Sequence, residues 1–275
     1  MSTHPAISPG NVAVVTGGGD GIGLAAATFF HGQGLKIVLA DVDDDKLKRA
    51  AETLDEVLTV VTDVSDLSSV QALKDKVYAR FGRVDVLMNN AGVASHCTST
   101  SGIDAWKTVL DVNLWGVIHG VHTFVPAMQE QGTPGLIINT GSKQGITTPP
   151  GNPAYNVSKA GVKAVTEALQ HELRSLENNQ LSAHLLVPGF TYTGMVRDFL
   201  PEKPDSAWTA EQVVQCMKTS LERGDFYIIC PDNDVTEAMD KKRMAWAMGD
   251  LIDNRPPLSR WHPDYADAFN SYMEN

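Results

Sequence analysis

Tyr155 and Lys159 stand four positions apart in the stretch NPAYNVSK. Asn152 followed by Pro153 is typical of a helix N-cap and first helical position, so the tyrosine and the lysine should share one helical face. A phenol has an ordinary pKa of about 10, and a nearby cation lowers that pKa by favouring the phenolate. The pair therefore predicts a tyrosine that exchanges protons and a lysine that tunes it. By itself, such a pair is also typical of a surface tyrosine that covers a lysine stem.

A glycine-rich turn, TGGGDGIG at 16–23, lies between an apolar β-branched run and a sequence suited to a helix. Glycines let the backbone turn tightly and approach a diphosphate, whose charge is stabilised by the free amides and the dipole of a helix N-terminus. The spacing places glycines at Gly17, Gly21 and Gly23. Between a strand and a helix, this turn predicts nucleotide binding, and the alternative is a plain tight connection.

Asp41 ends the next apolar run, 18 positions after Gly23. A carboxylate at an offset of roughly 20 residues accepts hydrogen bonds from the adenosine ribose hydroxyls, and it repels a 2′-phosphate. No arginine occurs in the turn and Val42 follows Asp41, so no cation is expected to receive that phosphate. These residues favour NAD over NADP as the cofactor. The alternative is that Asp41 caps the following helix.

Seven apolar runs alternate with helical patterns along the chain, which is typical of repeated βαβ units. Runs that are apolar on both faces indicate a parallel sheet between helical layers, with ligands bound beyond the carboxyl ends of the strands. We therefore expect an α/β fold, a doubly wound, Rossmann-like sheet of seven parallel strands in one domain, with a long helix over 104–128. The strands are expected at 12–16, 36–41, 57–62, 84–90, 135–140, 181–187 and 226–230.

The composition narrows the classes of partner. With 22 basic and 33 acidic residues, the net charge of −11 argues against nucleic acid and acidic membranes. The three cysteines form neither a disulfide framework nor a zinc pattern, and His119 and His122 lack visible partners, so no metal site is expected. The chain has no basic and apolar leader and no apolar span of roughly 18 residues, which favours a cytoplasmic protein without a membrane partner.

Several motifs in order along the chain resemble those of the short-chain dehydrogenase/reductase family. The resemblance covers nearly all of residues 12–231 and rests on a combination of motifs that is highly specific. The motifs are TGGGDGIG at 16–23, NNAG at 89–92, VN at 112–113, Ser142 thirteen positions before the tyrosine, YNVSK at 155–159 and PGFTYT at 188–193.

The resemblance implies roles for four catalytic residues. Ser142 would donate a hydrogen bond to the substrate oxygen and stabilise the charge that develops there. Tyr155 would give a proton to that oxygen or remove it, and Lys159 would also hold the nicotinamide ribose. Asn113 would anchor a water that passes protons to solvent. The alternatives are a turn-forming role for Ser142 and satisfaction of buried backbone groups by Asn113.

The resemblance also implies four groups of cofactor contacts. One group holds the diphosphate, a second the adenine-side ribose, a third the adenine and a fourth the nicotinamide end. The residues are, in that order, Gly17, Gly19, Asp20, Gly21 and Ile22; Asp41, Asn90, Ala91 and Gly92; Asp63 and Val64; and Tyr155, Lys159, Pro188, Gly189, Thr191 and Thr193. The alternatives are that Asp63 forms a turn and that Pro188 and Gly189 only end a strand.

The stretch 190–208 occupies the position of the family's mobile substrate loop. Met195, Phe199 and Trp208 could line an apolar pocket there, opposite Val93, Ala94 and His96, and such a pocket favours an apolar or aromatic substrate. Exposed loop aromatics also often pack on their own scaffold.

The last residues, 234–275, are expected to form a helical extension of the domain at 1–233. A helix is predicted over 234–253, and the aromatic residues that follow recur at helical spacing and predict a stripe on one helical face. The stripe comprises Trp261, Tyr265, Phe269 and Tyr272. It could pack within the chain, pack on a neighbouring subunit or cover the substrate pocket.

Together, the residues and the resemblance predict an NAD-dependent oxidoreductase that interconverts a secondary alcohol and a ketone. The family commonly forms homo-oligomers, so a tetramer or dimer is expected. Two alternatives stay open, an NADP-linked carbonyl reductase and a nucleotide-sensing interaction protein without catalysis. The intact set of Asn113, Ser142, Tyr155 and Lys159 argues against the second, because a binding protein needs no poised phenol.

Overall fold

A computed structural model of the chain describes residues 4–197 and 200–274. Seven strands form one parallel sheet in the order β3-β2-β1-β4-β5-β6-β7, which confirms the predicted doubly wound α/β fold. The strands are β1 (Val12–Thr16), β2 (Lys36–Asp41), β3 (Leu58–Val61), β4 (Val86–Asn89), β5 (Gly135–Thr140), β6 (Leu181–Val187) and β7 (Tyr227–Ile229).

Helices connect the strands and cover both faces of the sheet. They are α1 (Gly21–Gly32), α2 (Asp44–Ala51), α3 (Leu67–Phe81), α4 (Ile103–Leu110), α5 (Gly116–Glu130), α6 (Gln144–Thr147), α7 (Pro153–Ser175), α8 (Gly194–Arg197), α9 (Ala210–Arg223), α10 (Glu237–Ile252) and α11 (Ala266–Glu274). The strand order reverses between β1 and β4, and the crevice at that point is where doubly wound sheets bind ligands.

Alternating side chains of the buried strands enter two different cores. Val15 and Leu39 pack with α1 and α9 on one face, where Phe30 is fully buried. Val14 and Val38 pack with α3, α5 and α7 on the other face. Because successive side chains of a strand point to opposite faces, a run that is apolar throughout stabilises both layers.

The helix expected over 104–128 is interrupted, which corrects the prediction of one continuous helix. A π-helical turn over Asp111–Trp115 separates α4 from α5. Asn113 lies in that turn with its side chain fully buried, bonded to the backbone of Val93. A π turn inserts one extra residue, and such turns are frequent at functional sites. The hydrophobic pattern could not reveal it, because the partner of Asn113 is distant in sequence.

The end of the chain forms α10, two 3₁₀ turns over Ser259–Trp261 and Pro263–Tyr265, and α11. The prediction that the four aromatic residues share one helical face is therefore wrong. Phe269 and Tyr272 lie on α11 and pack on Trp246 of α10, with ring centroids 5.3 and 5.2 Å away. Packing within the chain, one of the expected alternatives, accounts for these two rings.

Within residues 4–197 and 200–274, none of the helices combines the length and the hydropathy needed to cross a bilayer.

Candidate active site

The structure brings Tyr155, Ser142 and Lys159 together at the carboxyl end of β5. Asn152 caps α7 by accepting a hydrogen bond from the Tyr155 amide at 3.3 Å, which places the tyrosine in the first helical turn. Ser142 follows β5 and shares a hydrogen bond with the Tyr155 hydroxyl. The Lys159 ammonium lies 5.8 Å from the centroid of the Tyr155 ring and donates to the Thr140 carbonyl at 2.8 Å. A phenol, a hydroxyl and an ammonium therefore converge.

Burial controls the proton equilibria of this group. It raises the pKa of Tyr155 above its ordinary value, and the hydrogen bond with Ser142 lowers that pKa only in part. Burial also lowers the pKa of Lys159 to about 8. The sequence predicted a lowered tyrosine pKa, and that direction is wrong for the chain without ligand. The prediction considered the lysine charge and omitted the cost of removing a phenolate from water.

Asn113 lies beside this group with its side-chain amide fully engaged. Its Oδ1 accepts from the Val93 amide at 2.8 Å, and its Nδ2 donates to the Val93 carbonyl at 2.9 Å and to Ser158 Oγ at 3.2 Å. Satisfying buried backbone groups, one of the two expected roles, accounts for these contacts. Its role in holding a water remains a prediction.

The glycine turn needs the absence of side chains. Gly17 has a φ of +62°, and a Cβ added there would lie 2.8 Å from the Ala91 Cα. A Cβ on Gly23 would overlap the Gly17 carbonyl oxygen. Asp20 caps α1 by accepting from the Gly21 amide at 2.7 Å, and Ile22 packs against the first core. The turn therefore brings backbone directly to the crevice, as the sequence predicted.

Asp41 is bonded to the glycine turn. Its carboxylate accepts from the Gly19 amide at 3.0 Å and from the Asp43 amide at 3.1 Å. The N-cap of α2 is Asp43, which accepts from the Lys46 amide at 2.9 Å, so the alternative that Asp41 caps this helix is wrong. At the end of β2, Asp41 stays beside the turn where a ribose would lie.

A cation that the sequence did not indicate lies near the turn. Lys46, on the first turn of α2, packs so closely on Gly19 that a Cβ added there would lie 2.8 Å from the lysine Cβ. Its charge helps to lower the pKa of Asp20. The prediction that no cation would receive a 2′-phosphate considered only the glycine turn and the residue after Asp41. The first turn of α2 places Lys46 beside the glycine turn.

The NNAG segment supports the glycine turn from below. Thr16 Oγ1 accepts from the amides of Asn90 at 2.9 Å and Ala91 at 3.2 Å, and Asn90 Nδ2 donates to the Thr16 carbonyl at 3.1 Å. A Cβ added to Gly92 would lie 3.4 Å from Asn113 Oδ1 and 3.7 Å from Lys159 Nζ. Gly92 thus lies at the floor of the crevice.

Asp63 and Val64 are held by contacts within the protein. The Asp63 carboxylate accepts from the Ser65 amide at 2.9 Å and from the Ser65 hydroxyl at 2.6 Å. These bonds correspond to the alternative that Asp63 forms a turn. Val64 is buried in the second core, and its side chain lies against Gly116. A contact of either residue with adenine remains a prediction.

The segment after β6 folds back over the glycine turn. Pro188 is buried, and Thr191 Oγ1 donates to the Gly189 carbonyl at 3.1 Å. A Cβ added to Gly21 would lie 3.1 Å from the Thr193 Cβ. Four of the predicted nicotinamide contacts, Pro188, Gly189, Thr191 and Thr193, are therefore near one another, on the same side of the crevice as the phosphate turn.

A family sequence model for short chain dehydrogenase matches residues 11–204. The chain belongs to the short-chain dehydrogenase family. A relative, 1-deoxy-11-beta-hydroxypentalenate dehydrogenase of Streptomyces exfoliatus, is 30% identical over 259 residues, which are 90% of this chain and 93% of the relative. An uncharacterized oxidoreductase of Staphylococcus aureus strain N315 is 34% identical over 212 residues, which are 75% of this chain and 90% of the relative.

Solved structures of the family share the fold. A short-chain dehydrogenase/reductase from Burkholderia phymatum in complex with NAD superposes with a TM-score of 0.81 and 34% identity, covering 90% of this chain and 96% of that chain. A short-chain dehydrogenase assigned in Novosphingobium aromaticivorans superposes with a TM-score of 0.76 and 26% identity, covering 96% and 98%. This short-chain dehydrogenase therefore has the oxidoreductase scaffold over nearly its whole length.

An ion pair that sequence reasoning missed joins the phosphate turn of this short-chain dehydrogenase to the loop after β6. Arg197 of α8 donates to Asp20 Oδ2 at 2.5 Å. Burial raises the pKa of Asp20, but the hydrogen bonds from Arg197 and from the Gly21 amide together outweigh this effect. The net pKa of Asp20 is therefore below the ordinary value. The aspartate is thus an anion beside the site expected for a diphosphate, and Arg197 balances it.

Arg197→Ala should weaken NADH binding, because an unpaired Asp20 would repel the diphosphate. The loss should not exceed about fivefold, because an exposed ion pair contributes at most about 1 kcal/mol. Fluorescence titration with NADH measures the change. Lys203→Ala, which removes another cation of the same loop, should have no effect. Adding Asp20→Asn to Arg197→Ala should restore the affinity, and a further loss would contradict the electrostatic explanation.

The apolar pocket predicted in the loop of this short-chain dehydrogenase remains a prediction, and the structure locates part of its expected lining. Trp208 packs against the first core, and its amide donates to the Phe190 carbonyl at 2.8 Å. Phe199 lies outside the described residues. Val93, expected on the opposite rim, packs against the same small apolar cluster as Tyr155. An opening lined by Lys143, Gln144 and residues of the extension lies next to Ser142 along the chain.

No group of three or more histidine, cysteine, aspartate or glutamate side chains in the described part of the chain is placed to hold a metal ion. His119 Nδ1 lies 2.8 Å from the Val64 carbonyl, which accounts for its position. All three cysteines are free thiols.

Proposed function

We propose that this protein is an NAD-dependent dehydrogenase that interconverts a secondary alcohol and a ketone, with Tyr155 as general acid and base. The observation that carries the proposal is the hydrogen-bonded pair of Tyr155 and Ser142 beside the buried ammonium of Lys159. A protein that only senses a nucleotide gains nothing from burying a lysine next to a phenol, because each buried polar group costs free energy of folding.

The residues of the crevice fit a dinucleotide. Gly17 and Gly23 leave room for a diphosphate at the N-terminus of α1, where the free amides and the helix dipole favour an anion. Asp41 stays at the end of β2 with acceptor capacity for a ribose diol, since each of its oxygens accepts one bond from the protein. When bound, the nicotinamide supplies or accepts the hydride.

The protein residues handle the substrate oxygen and its proton. Ser142 Oγ orients the oxygen and stabilises its developing charge. Tyr155 Oη donates a proton during reduction and removes it during oxidation. Because the raised pKa of Tyr155 keeps the phenol protonated without ligand, reduction starts from the form that the site already favours. Lys159 holds a positive charge near the phenol and stabilises the phenolate that reduction leaves.

NAD is the cofactor that Asp41 favours, because its carboxylate would repel a 2′-phosphate. The Burkholderia phymatum relative, solved in complex with NAD, supports this assignment. NADP-linked reduction is the second candidate function, and the position of Lys46 over the glycine turn favours it. The two functions differ in cofactor and share the chemistry of Tyr155.

The reduction rate should fall as pH rises through about 8. In the protein without cofactor, burial lowers the pKa of Lys159 to about 8, so the ammonium is present below this pH and lost above it. Loss of the charge removes the stabilisation of the phenolate. Initial rates at low NADH concentration give kcat/KM, which reports the free enzyme. In Lys159→Arg, whose charge persists, any remaining activity should lack this fall. A kcat/KM that rises through the same range would contradict the role of Lys159.

A spectrophotometric screen tests the proposed function. Secondary alcohols are offered with NAD or NADP, and ketones with NADH or NADPH, while the nicotinamide absorbance is followed. The 1-deoxy-11-beta-hydroxypentalenate dehydrogenase relative carries in its name the oxidation of a hydroxyl group, and this supports including hydroxylated cyclic compounds. Turnover that persists in Tyr155→Phe would reject the mechanism, and NADH binding without turnover of any compound would favour a sensing role.

A further inference from the structure

A cavity of about 250 Å³ lies between the segment that joins Ser142 to Tyr155 and the C-terminal extension. Gln144 connects the cavity to the reaction centre. It lines the cavity, and its backbone amide donates a hydrogen bond to Ser142 Oγ at 3.2 Å. Lys143 and α6 form the inner wall, and α10 and the 3₁₀ turn of Trp261 form the outer wall. The lining residues are Lys143, Gln144, Ile146, Thr147, Pro149, Ile229, Asp240, Arg243, Met244, Arg260 and Trp261.

Three cationic side chains and one carboxylate line this cavity. The Lys143 ammonium lies 2.7 Å from Asp240 and 3.5 Å from Asp232, so its charge is balanced within the protein. In the part of the chain that the structure describes, Arg243 and Arg260 have no carboxylate within the 4.0 Å of an ion pair. Counting Asp232 and Asp240 against Lys143, Arg243 and Arg260, the cavity and its wall carry one positive charge in excess, in a chain whose net charge is −11.

The two arginines are close enough to repel each other. Burial lowers the pKa of Arg260, the positive charge of Arg243 lowers it further, and the Asp240 carboxylate opposes these effects only in part. The guanidinium of Arg260 lies 4.7 Å from the Trp261 ring centroid and 5.3 Å from that of Phe269, and these cation–π contacts hold it in place. The Nε of Arg243 is buried and has no hydrogen-bond acceptor among the described residues. Such a donor costs free energy unless a ligand supplies the acceptor.

The rest of the lining is apolar. Ile146, Ile229 and Met244 contribute aliphatic surface, and Trp261 adds an aromatic ring. A ligand that fits would have an apolar body and one compact anionic group. A carboxylate suits two guanidinium groups, since its two oxygens accept paired N–H donors in one plane. The carboxylate of Asp240 in the same wall disfavours an ion of higher charge.

We infer that this cavity binds the carboxylate of the substrate through Arg243 and Arg260, so the substrate is a hydroxy acid or an oxo acid with an apolar body. The inference rests on the proposed function, because it places the reacting carbon of the same molecule at Ser142 and Tyr155. It adds a carboxylate to the apolar or aromatic substrate that we expected from the sequence. The C-terminal extension thereby determines which substrates the site accepts.

Benzoate and its neutral analogue benzamide test this inference by calorimetric titration of the full chain saturated with NAD. The wild-type protein should bind benzoate at least about tenfold more tightly than benzamide, because charge-assisted hydrogen bonds form only with the anion. Arg243→Gln and Arg260→Gln should each weaken benzoate binding by about 10- to 100-fold and leave benzamide unchanged. Arg174→Gln, which removes an exposed arginine of α7, is the matched control and should change neither.

Arg243→Lys and Arg260→Lys should restore part of the benzoate affinity, which a merely structural role of the arginines would not predict. Equal affinity of the wild-type protein for the two probes would overturn the inference, and this result needs no variant to fold. Retained benzoate preference in both glutamine variants would also overturn it. Tighter binding of inorganic phosphate than of benzoate would overturn the assignment of a carboxylate.

The same protein samples separate this inference from the proposed function. Benzoate should compete with the alcohol or ketone that the screen identifies, and inhibition that is not competitive would overturn the link between cavity and reaction centre. NADH binding and turnover of neutral ketones without benzoate preference would reject the inference alone. Benzoate preference without NADH binding or turnover would reject the proposed function and leave an anion site.

Discussion

Tyr155→Phe should lower turnover by about 10²- to 10⁴-fold while NADH binding stays nearly unchanged. Only the phenolic oxygen is lost, and that oxygen shares its hydrogen bond with Ser142 and not with the glycine turn. The ring itself still packs against the cluster of Cys97, Val109 and Ala154, so the helix start should keep its position. Steady-state rates on an identified substrate and fluorescence titration with NADH give the two quantities.

Tyr78→Phe is a matched control for the loss of a phenol. The Tyr78 hydroxyl donates to Gln131 Oε1 at 2.7 Å, in a half-buried contact between α3 and the end of α5 that is distant from the crevice. Its removal should cost roughly 1 kcal/mol of stability, as for a typical hydrogen bond, and leave turnover unchanged. Unchanged turnover in Tyr155→Phe would reject proton transfer by Tyr155, and a parallel loss of NADH binding would indicate a structural role.

Asp41→Asn should narrow the preference for NADH over NADPH by about 10- to 100-fold. The carboxylate contributes charge-assisted hydrogen bonds to a ribose diol and repels a 2′-phosphate, and the amide does neither as strongly. Asparagine keeps the oxygen that can accept from the Gly19 amide, so the turn should persist. Titration of wild type and variant with NADH and NADPH gives the ratio of dissociation constants.

Asp43→Ala is the control for Asp41. It removes the N-cap of α2 and should lower stability by about 1 kcal/mol without changing the cofactor ratio. Lys46→Ala separates the two candidate cofactors further, because a loss of NADPH affinity alone would show that this lysine receives the 2′-phosphate. Tighter binding of NADPH than of NADH by the wild-type protein would reverse the assignment of the cofactor.

The fold followed from local patterns. Strand β1 is apolar from Val12 to Val15 and buried at every position, as expected for a parallel sheet with both faces covered, so the pattern specifies the element and its environment together. Asn152 and Pro153 specified the start of α7, and this start is what places Tyr155 and Lys159 one turn apart. The glycine spacing specified a turn, because at Gly17 and Gly23 neighbouring backbone leaves no space for a side chain.

Other features depend on partners that are distant along the chain. The π turn at Asn113 exists where its amide meets Val93, and Arg197 meets Asp20 across 177 positions. The direction of the Tyr155 pKa depends on how much water the surrounding layers exclude, which a spacing of four residues does not encode.

By itself, the sequence determined the order of strands and helices, the phosphate turn and the residue types that meet at the carboxyl end of β5, because periodicity, capping and glycine spacing act over a few residues. Only the tertiary structure decided which charges are balanced. Lys143 pairs with a carboxylate on α10, whereas Arg243 and Arg260 line a cavity without an ion-pair partner among the described residues. Lys46 lies beside the glycine turn. Electrostatic energies depend on distances and burial in space, and chain folding brings together residues whose separation in sequence carries no such information.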